Sequence, residues 1–141
     1  MEVFIDSNII IEAFKRSGSE KASEILNLIL KNNLICFTNI IVESEAVFHL
    51  ITKGKGKLTL SELGDFLDFL EFLPVNNDIR TMFRKFVEKH KLKPNDAIIL
   101  STCKYYGIPY LISLDSDFEK PCKEEGVRLI SSPEELKEAL S

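Results

Sequence analysis

The sequence predicts an α/β fold, a three-layer sandwich in which helices cover a parallel sheet. Three observations predict it. Short runs rich in β-branched and aromatic residues alternate with longer amphipathic stretches along nearly the whole chain. Runs such as Tyr110–Leu114 are continuously apolar, as strands buried on both faces are. No repeat, low-complexity tract or Gly/Pro/Ser-rich linker interrupts the 141 residues, which are expected to form one domain, 1–141.

The elements follow in order. Glu2 to Ile5 opens as a strand. Asp6-Ser7-Asn8 comes next, and Asp6 or Ser7 caps a helix begun by Ile9-Ile10-Ile11. Lys15–Ser19 is a polar break. A second helix spans Ser19–Leu30, with Ala22, Ile25, Leu26, Ile29 and Leu30 on its inward face. Leu34–Thr38 is a strand. Thr38 or Asn39 caps a helix from Ile40 to Thr52, apolar at Ile41, Val42, Ala46, Phe48 and Leu50. Lys53-Gly-Lys-Gly-Lys is a basic loop; lacking Gly-x4-Gly-Lys-Ser/Thr, it is no P-loop, and it reads either as a phosphate contact or as a solvated turn. Leu60–Leu70, capped by Thr59 or Ser61, is a helix, and Phe72–Val75 a short strand or connector.

Asn76–His90 is a helix with Ile79, Phe83, Phe86 and Val87 inward and Arg80, Arg84, Lys85 and Lys89 outward. Pro94 suits the first position of the next helix, Gly107 its left-handed cap, and Pro109 blocks continuation. After the strand Tyr110–Leu114 come Asp115, Asp117 and Phe118, then a charged turn. Val127–Ile130 is the last strand, and Ser132-Pro-Glu-Glu opens a terminal helix.

Composition narrows the class. With 45% hydrophobic residues the chain can build a proper core. A net charge of −4 argues against a generic polyanion binder, but clustered acids that bind metal make a protein acidic too. No apolar run reaches the roughly 18–20 residues that span a bilayer. The N-terminus lacks the order of a signal peptide, so a cytoplasmic protein is expected. The three cysteines, Cys36, Cys103 and Cys122, lack metal-type spacing and read as buried free thiols.

The acids carry the chemistry. Asp6 follows the first strand, Asp96 lies in the first turn of a helix, and Asp115 and Asp117 follow a later strand. Glu45 is borne on a helix, with His49 four residues on. In a parallel sheet the carboxyl edges share one face, where ligands bind. Converged carboxylates repel and need a cation. Oxygen-only ligands suit Mg²⁺ or Mn²⁺, which orient water for in-line attack on a phosphodiester. No Gly-x-Ser-x-Gly elbow or Gly-x-Gly-x-x-Gly turn competes.

Four segments resemble the PIN domain family, and within it the small ribonuclease toxins of the VapC type: Phe4-Ile5-Asp6-Ser7-Asn8, Glu45-Ala46-Val47-Phe48, Asn95-Asp96-Ala97-Ile98-Ile99-Leu100 and Leu111-Ile112-Ser113-Leu114-Asp115-Ser116-Asp117-Phe118. The resemblance covers nearly the whole chain. It implies a sandwich around a five-stranded parallel sheet, dependence on Mg²⁺ or Mn²⁺, and endonucleolytic cleavage of RNA leaving a 5′-phosphate. It also implies a homodimer and often a small antitoxin partner. By position, Asp6, Glu45, Asp96 and Asp115 match the acidic quartet, Asp117 the extra acid before the phenylalanine and Ser113 a position more often threonine; Asp117 is read as a further metal ligand, and Asn8 and Ser113 as hydrogen-bonders that position the carboxylates.

In the roles so implied, Asp6 and Asp96 hold the principal ion, Asp115 completes that site or holds a second ion, and Glu45 orients the attacking water or binds the second ion. Two departures stand out. Asn39-Ile40 replaces the usual Ser-Pro, and Glu43 stands two residues from Glu45. The chief rival is a PIN-like module that binds RNA or protein with little catalysis. An aspartyl-phosphate enzyme would want aspartate where Asn8 stands, and a Toprim-type domain would begin with a glutamate.

Overall fold

The strands form where β-branched and aromatic residues cluster between turn signals. The computed structural model describes residues 1–141 and contains five strands: β1 (Glu2–Ile5), β2 (Ile35–Thr38), β3 (Glu71–Phe72), β4 (Tyr110–Ile112) and β5 (Arg128–Ile130). All pairings are parallel, in the order β3-β2-β1-β4-β5. Val3 faces Cys36 on one side and Tyr110 on the other. The expected parallel sheet of about five strands, flanked by helices, is therefore observed.

Seven helices join the strands and an eighth follows the last: α1 (Ser7–Phe14), α2 (Glu20–Lys31), α3 (Ile40–Val47), α4 (Leu60–Asp68), α5 (Asn77–His90), α6 (Pro94–Tyr106), α7 (Glu119–Glu125) and α8 (Pro133–Leu140). The chain first winds outward from β1 to β2 and β3, then returns to add β4 and β5 on the other side. Right-handed crossovers consequently place α1 to α4 over one face and α5 to α7 over the other. α8 packs back on α2. The order reverses between β1 and β4, and a crevice opens at the carboxyl ends of strands at such a point. No helix is long and apolar enough to cross a membrane.

Local chemistry explains most boundaries. Asp6 caps α1, Asn39 caps α3 through Ile41 and Val42, and Thr59 with Glu62 forms a reciprocal capping box on α4. Gly107 ends α6 at φ 67°, a conformation that carries no steric cost only for glycine. Phe4, Ile5, Leu111, Ile112 and Phe118 are fully enclosed in a core of 30 residues. The three cysteines are buried and free, and burial pushes the Cys36 and Cys122 thiols up to about 12.

Three expectations fail locally. The segment after Phe118 is not merely a charged turn: a short 3₁₀ turn at Ser116–Phe118 leads into α7, whose Pro121 sits in the first turn, where its missing N–H is harmless. Leu30 does not face inward. It lies in the last turn of α2, 56% exposed, at an apolar groove shared with Phe66, Phe69 and Leu70. Phe48 also faces out, at 46% exposure. It stands six residues beyond Val42, about two-thirds of a turn out of phase with that buried face.

Two glycines test the backbone account. Gly64 lies inside α4 with nothing within 4 Å of where an added methyl group would stand, so Gly64→Ala is expected to raise stability by about 0.5–1 kcal/mol. Gly107→Ala, at positive φ, is expected to lower it by about 1 kcal/mol. Urea unfolding of the two variants checks the opposite signs; a shared sign contradicts the account.

Candidate active site

The crevice at the reversal point is built from the ends of β1 and β4 and the helices beside them. The Asp6 N–H donates to the Ile112 carbonyl at 2.9 Å, so the sheet ladder runs up to the first acid. Asp6 is only 4% exposed. Its Oδ1 accepts from the Ser7 N–H at 2.7 Å, and its Oδ2 from the Ser113 hydroxyl at 2.7 Å. The Ser113 oxygen in turn accepts from Asn8 Nδ2 at 3.0 Å and from the Asp115 N–H at 3.1 Å. Asn8 Oδ1 accepts from the Leu114 N–H at 3.1 Å. One buried hydroxyl thus joins Asp6, Asn8 and Asp115.

Glu45 arrives from α3. The Ser7 hydroxyl stands between it and Asp6, 3.3 Å from Glu45 Oε1 and 3.5 Å from Asp6 Oδ1. Asp96 arrives from the first turn of α6. The two helices are tied by a buried side-chain bond: Asn39 Nδ2 donates to Thr102 Oγ1 at 3.1 Å, and that hydroxyl donates to the Ile98 carbonyl at 2.8 Å. Asp6, Glu45, Asp96 and Asp115 all line one cleft of about 560 Å³, together with Ser7, Asn8, His49, Lys93 and Asn95.

The structure therefore gathers the four quartet positions. Glu45 rather than Glu43 lines the cleft. Asp117 does not: it is exposed in the following 3₁₀ turn, its N–H donating to Asp115 Oδ1 at 2.9 Å. Its charge still reaches Asp96. Ser7, Asn39 and Thr102 were not among the expected positioning residues. The Asn39 departure from Ser-Pro was the visible signal for the clamp. Nothing local marks Thr102, which lies 63 positions from its partner.

Electrostatics confirms that the acids crowd one another. Burial raises the Asp6 carboxyl to about 6, against the Ser113 and Ser7 hydrogen bonds, and the charges of Glu45 and Asp115 add to the rise. Burial also raises Asp96 to about 6, with further contributions from Asp6 and Asp115 and an opposing one from Lys93. Glu45 is raised by burial and by Asp96, while contacts from Ser7 and Asn95 oppose the shift. Oxygen ligands so placed fit a hard divalent cation, which would relieve the repulsion. No cage of three or more ligating side chains is preformed.

Comparison with known proteins bears on the family and the fold. The sequence profile of the PIN domain matches residues 3–124. Ribonuclease VapC2 of Methanocaldococcus jannaschii is 30% identical over 133 residues, covering 84% of this chain and 88% of that protein. Ribonuclease VapC6 of the same organism is 32% identical over 141 residues, covering 84% and 91%. Among solved structures, a toxin–antitoxin complex from Klebsiella pneumoniae superposes with a TM-score of 0.73 at 20% identity, over 93% of this chain and 97% of that one. This last likeness is one of fold.

Two measurements test the site. Ser113→Ala strands Asn8 Nδ2, the Asp115 N–H and Asp6 Oδ2, and is expected to cost about 1–3 kcal/mol in urea unfolding, with Ser113→Thr close to wild type. An alanine variant as stable as wild type contradicts the network. The second concerns pH. Asp6 and Asp96 bind a proton more tightly folded than unfolded, so their contribution favours folding most when protonated. It is lost as pH rises from about 4, the ordinary carboxylate range, through the folded value of about 6. Asp96→Asn is therefore expected to gain on wild type in stability across that window and keep the gain at higher pH, measured in EDTA. A difference independent of pH would show that Asp96 ionises normally.

Proposed function

The chain belongs to the PIN domain family, and from that premise we propose that it is a divalent-metal-dependent endoribonuclease, the toxin of a toxin–antitoxin pair, with residues 1–141 acting as one domain. One observation carries the reading. Asp6, Glu45, Asp96 and Asp115, from four separate segments, meet around one cleft in which Lys93 is the lone lysine or arginine. A fold without such chemistry has no physical reason to gather mutually repelling carboxylates around a buried one.

Asp6 and Asp96 would hold the principal Mg²⁺ or Mn²⁺, with Asp115 completing that site or serving a second ion. When bound, the metal supplies charge stabilisation at the phosphodiester and lowers the pKa of attacking water. The chain's own residues do the rest. Ser113 and Asn8 hold Asp6 in one orientation. Glu45, steadied by Ser7, orients the water and accepts its proton. Asp117 adds negative potential from the rim.

RNA, single-stranded or structured, is the proposed substrate, in keeping with the activity printed in the names of the two Methanocaldococcus relatives. A small antitoxin protein is the proposed partner, in keeping with the Klebsiella complex, and a homodimer the proposed assembly.

Calorimetric titration of wild type and Asp96→Asn with Mg²⁺ or Mn²⁺, alongside cleavage of labelled single-stranded RNA, tests the reading. Wild type is expected to bind metal and cleave; Asp6→Asn and Asp96→Asn are expected to lose cleavage by at least about a hundredfold while remaining folded. Undiminished cleavage in both variants would sink the assignment. No metal binding at millimolar concentration would leave a binding module instead.

A further inference from the structure

The basic loop after α3 has no place in the carboxylate chemistry, yet it is held firmly and stands close to the cleft. α3 gives way at Phe48 to a five-residue π turn, Phe48–Thr52, a wide-helix feature that recurs at functional sites. The turn buries Leu50 and leaves Phe48 46% exposed. Its neighbour His49 lines the cleft and meets the Phe48 ring edge-on at 5.3 Å. Lys53 Nζ lies 5.1 Å from the centre of the Phe48 ring. Lys53 and Lys55 stand close enough to His49 to help depress its protonation, after burial.

The loop's backbone is pinned. The N–H groups of Lys53, Gly54 and Gly56 donate to the carbonyls of Phe48, Ile51 and Leu50; Arg16 N–H donates to Lys55, and Lys57 N–H to Phe14. A methyl group on Gly56 would meet the Leu50 carbonyl at 2.7 Å, so the loop sits hard against the π turn. Lys53, Lys55 and Lys57 are exposed and, like most of the 18 basic side chains, form no ion pair. In a chain of net charge −4, three unpaired lysines are held on a rigid support beside an acidic cleft.

We propose that Phe48, Lys53 and Lys55 form a shelf for single-stranded RNA, where a nucleobase next to the scissile phosphate stacks on Phe48 while the lysines hold the flanking phosphates. The inference rests on the nuclease reading and names its substrate class more narrowly. An exposed ring with a lysine ammonium over it sets a stacking surface and a phosphate-binding charge side by side, as an unstacked base and its backbone require. A base within a duplex cannot reach the ring without being unpaired. The enzyme therefore selects an unpaired nucleotide at the cut site.

Steady-state cleavage of one labelled oligonucleotide, unpaired and within a duplex, tests the shelf, with anisotropy binding of the unpaired form in EDTA. Phe48→Ala is expected to raise KM and the dissociation constant about tenfold with kcat unchanged, and Phe48→Trp to keep wild-type values. Lys53→Gln with Lys55→Gln is expected to weaken binding and flatten its salt dependence by about 1.4 in log–log slope. Binding that depends on Phe48 in a wild type that does not cleave supports the shelf and removes the nuclease reading. Cleavage with KM unchanged in Phe48→Ala overturns the shelf alone. A Phe48→Ala variant that changes sedimentation but not RNA affinity assigns the ring to a chain–chain contact and likewise overturns it. Wild type that neither binds nor cleaves RNA overturns both.

Discussion

The hydroxyl of Ser113 has one proton and two lone pairs, and all three are used. Two donors, Asn8 Nδ2 and the Asp115 N–H, occupy its oxygen, so its own proton has one place to go, Asp6 Oδ2. This bond joins the carboxyl end of β4 to that of β1 at the point where the strand order reverses. It fixes the direction of the most buried acid in the molecule. Every other part of the site is placed relative to that acid: Glu45 through the Ser7 hydroxyl, Asp115 through the next peptide, Asp96 across the cleft.

Holding these acids together works against the stability of the fold. Asp6 and Asp96 both bind protons near pH 6 because burial and mutual charge disfavour ionisation. The surrounding structure tolerates this because the supports are independent of the charges. The Asn39–Thr102 bond ties α3 to α6 without involving a carboxylate. On the far side of α6, His90 and Lys89 of α5 meet Glu125 of α7 at 2.7 and 2.8 Å, and Lys104 Nζ donates to the Glu125 carbonyl. The helix that carries Asp96 is thus braced from two directions.

The same crowding accounts for the division of the cleft. Its floor is acidic, while lysines stand at its margins, Lys93 just before α6 and Lys53 with Lys55 on the loop beside His49. Acidic composition overall conceals this arrangement. Net charge reports a sum, and a binding surface depends on where its members stand.

Much of the molecule was legible in the chain itself. Periodicity and caps placed four of the five strands and seven of the eight helices, because those signals act over a few residues; the stretch at β3 stayed open between strand and connector. Asp6, Asp96 and Asp115 were visible as acids at element edges, and Glu45 was chosen over Glu43 by alignment with a resembled family. α7 was not legible: Pro121 and five charged residues in seven positions disguise a helix that buries only Pro121 and Cys122. Nor were the outward turn of Phe48, the Asn39–Thr102 clamp or the exclusion of Asp117 from the cleft. The clamp joins residues 63 positions apart, and which side of an element faces the cleft is set by the elements packed around it. The sequence by itself determined which residue types stand at the ends of which elements. Only the tertiary structure decided which ends meet, because the strand order β3-β2-β1-β4-β5 is set by how helices pack across the sheet and not by any local stretch of chain.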